Sequence, residues 1–222
     1  MDPDRLHHLE QQLRSPSLQD RKAALDELAR VPSDLAVPLL QRLAMDPDFL
    51  RRRLAVMGLG NHRTTAAFIA LTELLAEEAD SNVVAEIANS LFEFGEVAVP
   101  LFPDLFHRCD DWLVRQTILG ILVDAEVPEV LLEVIRMGLK DATVTTRETA
   151  ILSLGQLVQG DFQTEAIDLL LEVAKSEQWR DRWRAATVLC RATEERARMT
   201  LAQLRQDENR YVVAAALEAL MI

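Results

Sequence analysis

Cysteine is almost absent from this chain: Cys109 and Cys190 are the only two among 222 residues. That excludes a disulfide framework and a Cys-x-x-Cys metal or redox site. The two thiols read as small buried hydrophobes in a reducing, cytoplasmic compartment. Long apolar runs are missing too. Hydrophobic residues make up 49% of the chain, yet no run approaches the roughly 18 residues that a membrane span needs. The polar start Met1-Asp2-Pro3-Asp4-Arg5 is wrong for a secretory signal. Histidine is confined to His7, His8, His62 and His107, and the adjacent His7-His8 is too thin a set to hold a metal. Neither a GxxxxGK(S/T) nor a GxGxxG phosphate loop occurs, and no Ser/Cys–His–Asp order stands out. Glu77-Glu78 and Asp110-Asp111 are adjacent carboxylates of ordinary solvated turns. No catalytic residue and no metal site is expected.

Positive charge is scarce in one stretch only. The net charge is −12, but residues 64–174 alone carry 5 Lys/Arg against 20 Asp/Glu, whereas 1–63 and 175–222 come to +1 and +2. Nucleic acid is held by Lys and Arg that neutralise phosphates, so it is not an expected partner. The acidic middle serves solubility, or forms an electrostatic footprint for a protein with a basic surface.

What is present is a period. Leucine returns at Leu28, Leu59, Leu91, Leu122, Leu154, Leu189 and Leu220, with gaps of 31 to 35 residues. Four positions before each stand Ala24, Ala55, Ile87, Ile118, Ala150, Ala185 and Ala216; seven before stand Arg21, Arg52, Val84, Arg115, Arg147, Arg182 and Val213. Positions three, four and seven before a leucine share its face on a 100-degree wheel, so each marker sits on an amphipathic helix. Polar turns such as Ser15-Pro16-Ser17, Asp46-Pro47-Asp48, Asp80-Ser81-Asn82 and Asp110-Asp111 precede these helices and suit N-caps. An apolar residue ten before the leucine (Leu18, Phe49, Trp112, Val144, Trp179) suits a hydrophobic contact where the helix begins. Gly60, Gly95 and Gly155 stand where left-handed C-terminal residues are expected.

A second apolar helix, with proline early in it, fills each interval. The spacing predicts first helices near 3–14, 34–45, 64–78, 97–108, 128–139, 163–175 and 194–205. It predicts second helices near 18–30, 48–60, 81–94, 111–124, 144–158, 179–192 and 209–221. A period of this length marks a stack of helical hairpins that share one continuous core. The expectation is all-α, seven hairpins in a single repeat domain over residues 1–222.

Asp111-Trp112-Leu113-Val114-Arg115 leading to Ile118 and Leu122 resembles the HEAT repeat, in particular the short HEAT-like repeats of the phycobilisome bilin lyases. So does the stretch from Asp46 to Arg52, leading to Ala55 and Leu59; Thr146-Arg147 is a looser copy. The resemblance implies a right-handed α-solenoid whose second helices line a concave face. It also implies a ladder between neighbouring repeats, made by Asp48, Asp80 and Asp111 with Arg21, Arg52, Arg115, Arg147 and Arg182. Val84 and Val213 would break it. The His-Glu dipeptides of HEAT-like deoxyhypusine hydroxylases are missing. The basic channel of HEAT-like alkylpurine glycosylases is at odds with the acidic middle.

On the wheel, the outward positions of the second helices include Leu50, Arg53, Met57, Leu113, Leu152, Arg180, Trp183, Arg184, Arg191 and Tyr211. The apolar ones are too apolar for a face that meets only water, and Trp, Tyr and Arg are the usual interface anchors. The expected function is a non-catalytic scaffold or assembly chaperone without a cofactor, gripping another protein. The alternative that the resemblance implies is a bilin lyase-type subunit, with a bilin held by Trp183, Arg180 and Arg191.

Overall fold

The computed structural model describes residues 3–218. Among them are fourteen α-helices and no strand. The first helices of the hairpins are α1 (Pro3–Leu13), α3 (Ser33–Leu43), α5 (Thr65–Glu77), α7 (Leu101–Arg108), α9 (Pro128–Gly138), α11 (Gln163–Val173) and α13 (Glu195–Leu204). The second helices are α2 (Leu18–Leu28), α4 (Phe49–Gly60), α6 (Ser81–Phe92), α8 (Trp112–Asp124), α10 (Val144–Ser153), α12 (Trp179–Leu189) and α14 (Arg210–Glu218). The chain divides into two compact units, residues 1–102 and 103–222.

In the first unit α4 packs against α2, α3, α5 and α6; in the second, α10 lies between α8 and α12, and α12 between α10 and α14. The period is the reason. Leu28, Leu59, Leu91, Leu122, Leu154 and Leu189 are completely buried, as are the small or branched residues four earlier, from Ala24 to Ala216; Leu220 lies outside the described residues. Each buried leucine contributes about 2–3 kcal/mol of burial, and the alanines let neighbouring helices approach closely.

Two predicted helices are interrupted. In place of a helix over 97–108 there is a 3-10 turn, Gly95–Val97, and then α7 from Leu101; Pro100 and Pro103 lack the N–H needed to extend it backwards. α10 ends at Ser153 and tightens into a 3-10 turn, Leu154–Gln156. Pro38 lies in the middle of α3, which continues through it. Of the three glycines expected to be left-handed, only Gly95 is, at φ +66°. Gly60 is needed for closeness instead, whereas Gly155 faces only the movable end of Arg191. A Cβ on Gly60 would fall 2.9 Å from Ser90 Cβ, and one on Gly155 2.9 Å from Arg191 Nη1.

The turns hold the stack together through two polar positions. The N-cap aspartates Asp48, Asp80 and Asp111 accept from the amides of Leu50, Asn82 and Leu113 at 2.8–2.9 Å. The ladder therefore uses other acids than those expected, standing two residues before the cap. Glu78 takes Arg52 at 2.7 and 3.1 Å. Asp141 takes Arg115 at 2.6 Å, and Asp207 takes Arg182 at 2.7 and 2.9 Å. The same acids accept the amide of the cap residue, as Glu78 does from Asp80 and Asp207 from Asn209. Arg52 and Arg182 also donate to carbonyls of their own turn, at Asp46, Pro47, Ser176 and Glu177.

Arg21 and Arg147 depart from the expected role. Arg21 donates to the carbonyls of Ser15 and Pro16, while Asp46 is engaged by Arg14 and Arg51. Arg147 faces Asp181 at 3.8 Å, because Ser176 occupies the position of the acid. In the fourth repeat that position is Cys109, and its counterpart one repeat earlier is Val84.

Candidate functional site

Two of the rung acids, Glu78 and Asp207, are held ionised. Burial opposes ionisation of Glu78, but the Arg52 guanidinium and the amides of Asp80 and Ala79 outweigh it, so its carboxyl lies below the ordinary range. Arg182 does the same for Asp207 against burial. These groups are engaged by the fold itself and are not candidates for binding.

The second helices carry another set of contacts on their outer positions. Arg53 of α4 bonds Glu86 of α6 at 2.9 Å. Gln116 of α8 donates to Thr149 of α10 at 3.2 Å, and Arg184 of α12 donates to Glu148 of α10 at 3.0 and 3.2 Å. Two of the expected partner-binding arginines, Arg53 and Arg184, are thus tied to neighbouring repeats.

Four of the apolar candidates, Leu50, Met57, Trp183 and Tyr211, fall into two places. In the first unit Leu50, Arg53 and Met57 line one shallow groove of about 230 Å³ with Leu18, Arg21 and Leu54. In the second unit the rings of α12 and α14 meet. Trp179 stacks on Tyr211 at 5.5 Å and 24°, and on Trp183 at 6.1 Å and 28°; Trp183 lies 6.3 Å from Tyr211. Guanidinium groups lie over each ring: Arg180 over Trp179 at 5.1 Å, Arg184 over Trp183 at 4.0 Å and Arg210 over Tyr211 at 4.9 Å. Tyr211 remains 46% exposed, and both tryptophans are half-buried.

Arg191 is exposed and lies against Gly155 rather than over a ring. Leu113 and Leu152 are half-buried and exposed respectively, and neither lines the groove or joins the rings.

Sequence reasoning assigned Trp179 and its equivalents to contacts at the helix start. They occupy the first helical position, but Leu18, Phe49, Trp112 and Val144 stay 38–65% exposed. Trp179 and Arg210 are therefore members of the ring cluster that the wheel missed. The signal was the four-residue spacing of Trp179 and Trp183, which puts both on one helical face.

Each unit is a pile of antiparallel helical hairpins, and that architecture is an α-solenoid. Residues 6–92 match the family of HEAT repeats. No curated protein sequence matches it. Similar solved structures include the CpcE–CpcF complex of phycocyanin lyase from Nostoc sp. PCC7120, at 21% identity and TM-score 0.49 over 97% of this chain and 86% of that one. An engineered protein is 18% identical over 97% of this chain and 67% of its own, with a TM-score of 0.52. The karyopherin Kap121p is 14% identical over 99% of this chain, with a TM-score of 0.59; this chain spans 29% of its length. The last two likenesses establish the fold. Among the described residues no helix is long and apolar enough to cross a membrane.

Proposed function

We propose that this chain is a protein-binding scaffold that holds its partner on the face of its second helices, with Trp179, Trp183 and Tyr211 as the anchor. The observation that carries the reading is a cluster of three rings packed on one another, flanked by guanidinium groups, and still open to water. Rings that served the core alone would be fully covered, as Phe102 and Phe106 are. Trp, Tyr and Arg are the residue types on which binding energy concentrates. The groove of Leu18, Leu50 and Met57 adds apolar contact area in the first unit. The fold is shared with Kap121p, which is seen bound to Nup53p and to the SUMO protease Ulp1p. The acidic stretch 64–174 favours a basic surface on the part of the partner that meets it.

A photo-crosslinking amino acid at Tyr211, compared with one at Met199 on the exposed side of α13, tests this in the native host. The scaffold reading expects one protein to be trapped from Tyr211 and not from Met199. Trp183→Ala, in the chain that carries the crosslinker at Tyr211, is expected to weaken the adduct strongly while lowering Tm by no more than about 4 °C. Equal adducts from both positions, or none, would overturn it. Coloured pigment transferred covalently to a phycobiliprotein on co-expression would replace it with a lyase role and a bound bilin.

A further inference from the structure

The ring cluster sits in a local charge environment opposite to that of residues 64–174. Arg180, Arg184 and Arg210 lie over its three rings. The nearest acid bonded to any of them is Glu148, which is mostly buried and shared: it accepts from Arg184 at 3.0 Å and faces Arg180 only at 3.8 Å. Asp181 on the same helix is buried and turned to Ser176 and Arg147. Glu208, beside α14, pairs with Arg182. Arg210 donates to the Tyr211 hydroxyl at 3.0 Å, and among the described residues no carboxylate pairs with it.

A guanidinium beside an aromatic ring keeps N–H groups with which it can capture a carboxylate. Here the guanidinium carbons of Arg180 and Arg210 lie 5.1 and 4.9 Å from the centroids of Trp179 and Tyr211, beside ring surface that would take an apolar side chain. The spacing of charge, ring and charge is the complement of an apolar residue between acids.

Resting on the scaffold reading, we infer that the Trp179–Trp183–Tyr211 cluster docks an acidic protein segment in which an aromatic or large aliphatic residue is flanked by glutamate or aspartate. Its carboxylates pair with Arg180 and Arg210, and its apolar side chain packs on the ring edges. Stacking rings with arginines also suit single-stranded nucleic acid, but the net charge of −12 repels a polyanion at long range, whereas a short acidic segment feels chiefly the local cations.

The test is a titration of the full chain carrying Trp112→Phe, so that the remaining tryptophans, Trp179 and Trp183, report from the cluster. The probes are a synthetic peptide with phenylalanine between pairs of glutamates, its lysine counterpart, and an oligothymidylate. The glutamate peptide is expected to shift the tryptophan emission and to bind at least about tenfold more tightly than the lysine peptide. Arg180→Glu with Arg210→Glu is expected to invert that preference. Arg210→Glu alone, which breaks no ion pair of the described fold, is expected to weaken the glutamate peptide in the same direction.

Absence of binding by the glutamate peptide, equal binding of both peptides, or an unchanged preference in the reversed variant would each overturn the inference. So would tighter binding of oligothymidylate that is lost on charge reversal. If crosslinking from Tyr211 still traps one protein while the peptides bind equally, the scaffold reading stands and the acidic preference falls. If neither occurs, both fall.

Discussion

Arg52 reaches from the first turn of α4 to Glu78, 26 residues further on, and grips both carboxylate oxygens at 2.7 and 3.1 Å while its other nitrogen holds carbonyls of its own turn. The pair is largely buried, with side-chain exposures of 19% and 9%. One side chain thus closes its own turn and fastens the next repeat.

Removing one member strands the other. Arg52→Met is expected to cost about 3 kcal/mol by leaving Glu78 buried without its cation, and Arg52→Met with Glu78→Gln is expected to recover part of that loss. Urea midpoints of the three variants check it. Because the folded carboxyl of Glu78 lies below its ordinary range, its contribution is complete above that range. It is lost as pH falls through the folded value. The acid limb of wild-type stability should accordingly be steeper than that of Arg52→Met.

His62 gives the opposite kind of dependence. Its ring is buried beside Ser33, with Nδ1 3.2 Å from the Ser33 hydroxyl, and burial lowers its pKa from 6.5. The unfolded chain binds the proton more readily, so stability rises with pH up to about 6.5 and is level above it. In His62→Leu the slope just below pH 6.5 should vanish. Denaturation midpoints at pH 7 and pH 5.5 in the two proteins decide this.

Two glycines predict opposite signs. Gly60→Ala drives a methyl to 2.9–3.1 Å from three atoms of Ser90, one of them backbone, and is expected to destabilise by about 1–3 kcal/mol. Gly120 lies inside α8 with nothing within 4 Å of a Cβ. Gly120→Ala is expected to stabilise by about 0.5–1 kcal/mol. Thermal melting of the pair distinguishes closeness from mere flexibility.

The caps are separable from the rungs. Asp111 accepts from the Leu113 amide at 2.8 Å, so Asp111→Ala should cost about 1 kcal/mol and Asp111→Asn much less. If the asparagine variant melts as low as alanine, charge and not the capping bond accounts for Asp111.

The helices were legible because burial imposes a helical period that leucine and alanine report directly, to within a few residues at most ends. The interruptions before α7 and after α10 depend on which amides find acceptors, and periodicity is blind to that. The rung partners were misplaced for a related reason. Asp80 and Glu78 are both acidic and both in the turn, and only the geometry of the first helical turn assigns one to the amides and the other to Arg52. At the candidate site the wheel found Trp183 and Tyr211 from outward position alone. It separated Trp179 from them because a residue at the first helical position has no fixed inside or outside until its neighbour is placed. Leu113, Leu152 and Arg191 satisfied the same wheel without joining any cluster.

Val84 and Cys109 occupy the pair of positions where the other repeats offer arginine and acid or serine, and the division into residues 1–102 and 103–222 falls between them. Each complete rung lies inside one unit: Arg52–Glu78 in the first, Arg115–Asp141 and Arg182–Asp207 in the second. Heat or denaturant can then open one half while the other keeps its ionic fastenings, a subglobal event that hydrogen exchange would register as two protection levels along one chain. Such a molecule can yield locally without surrendering the whole.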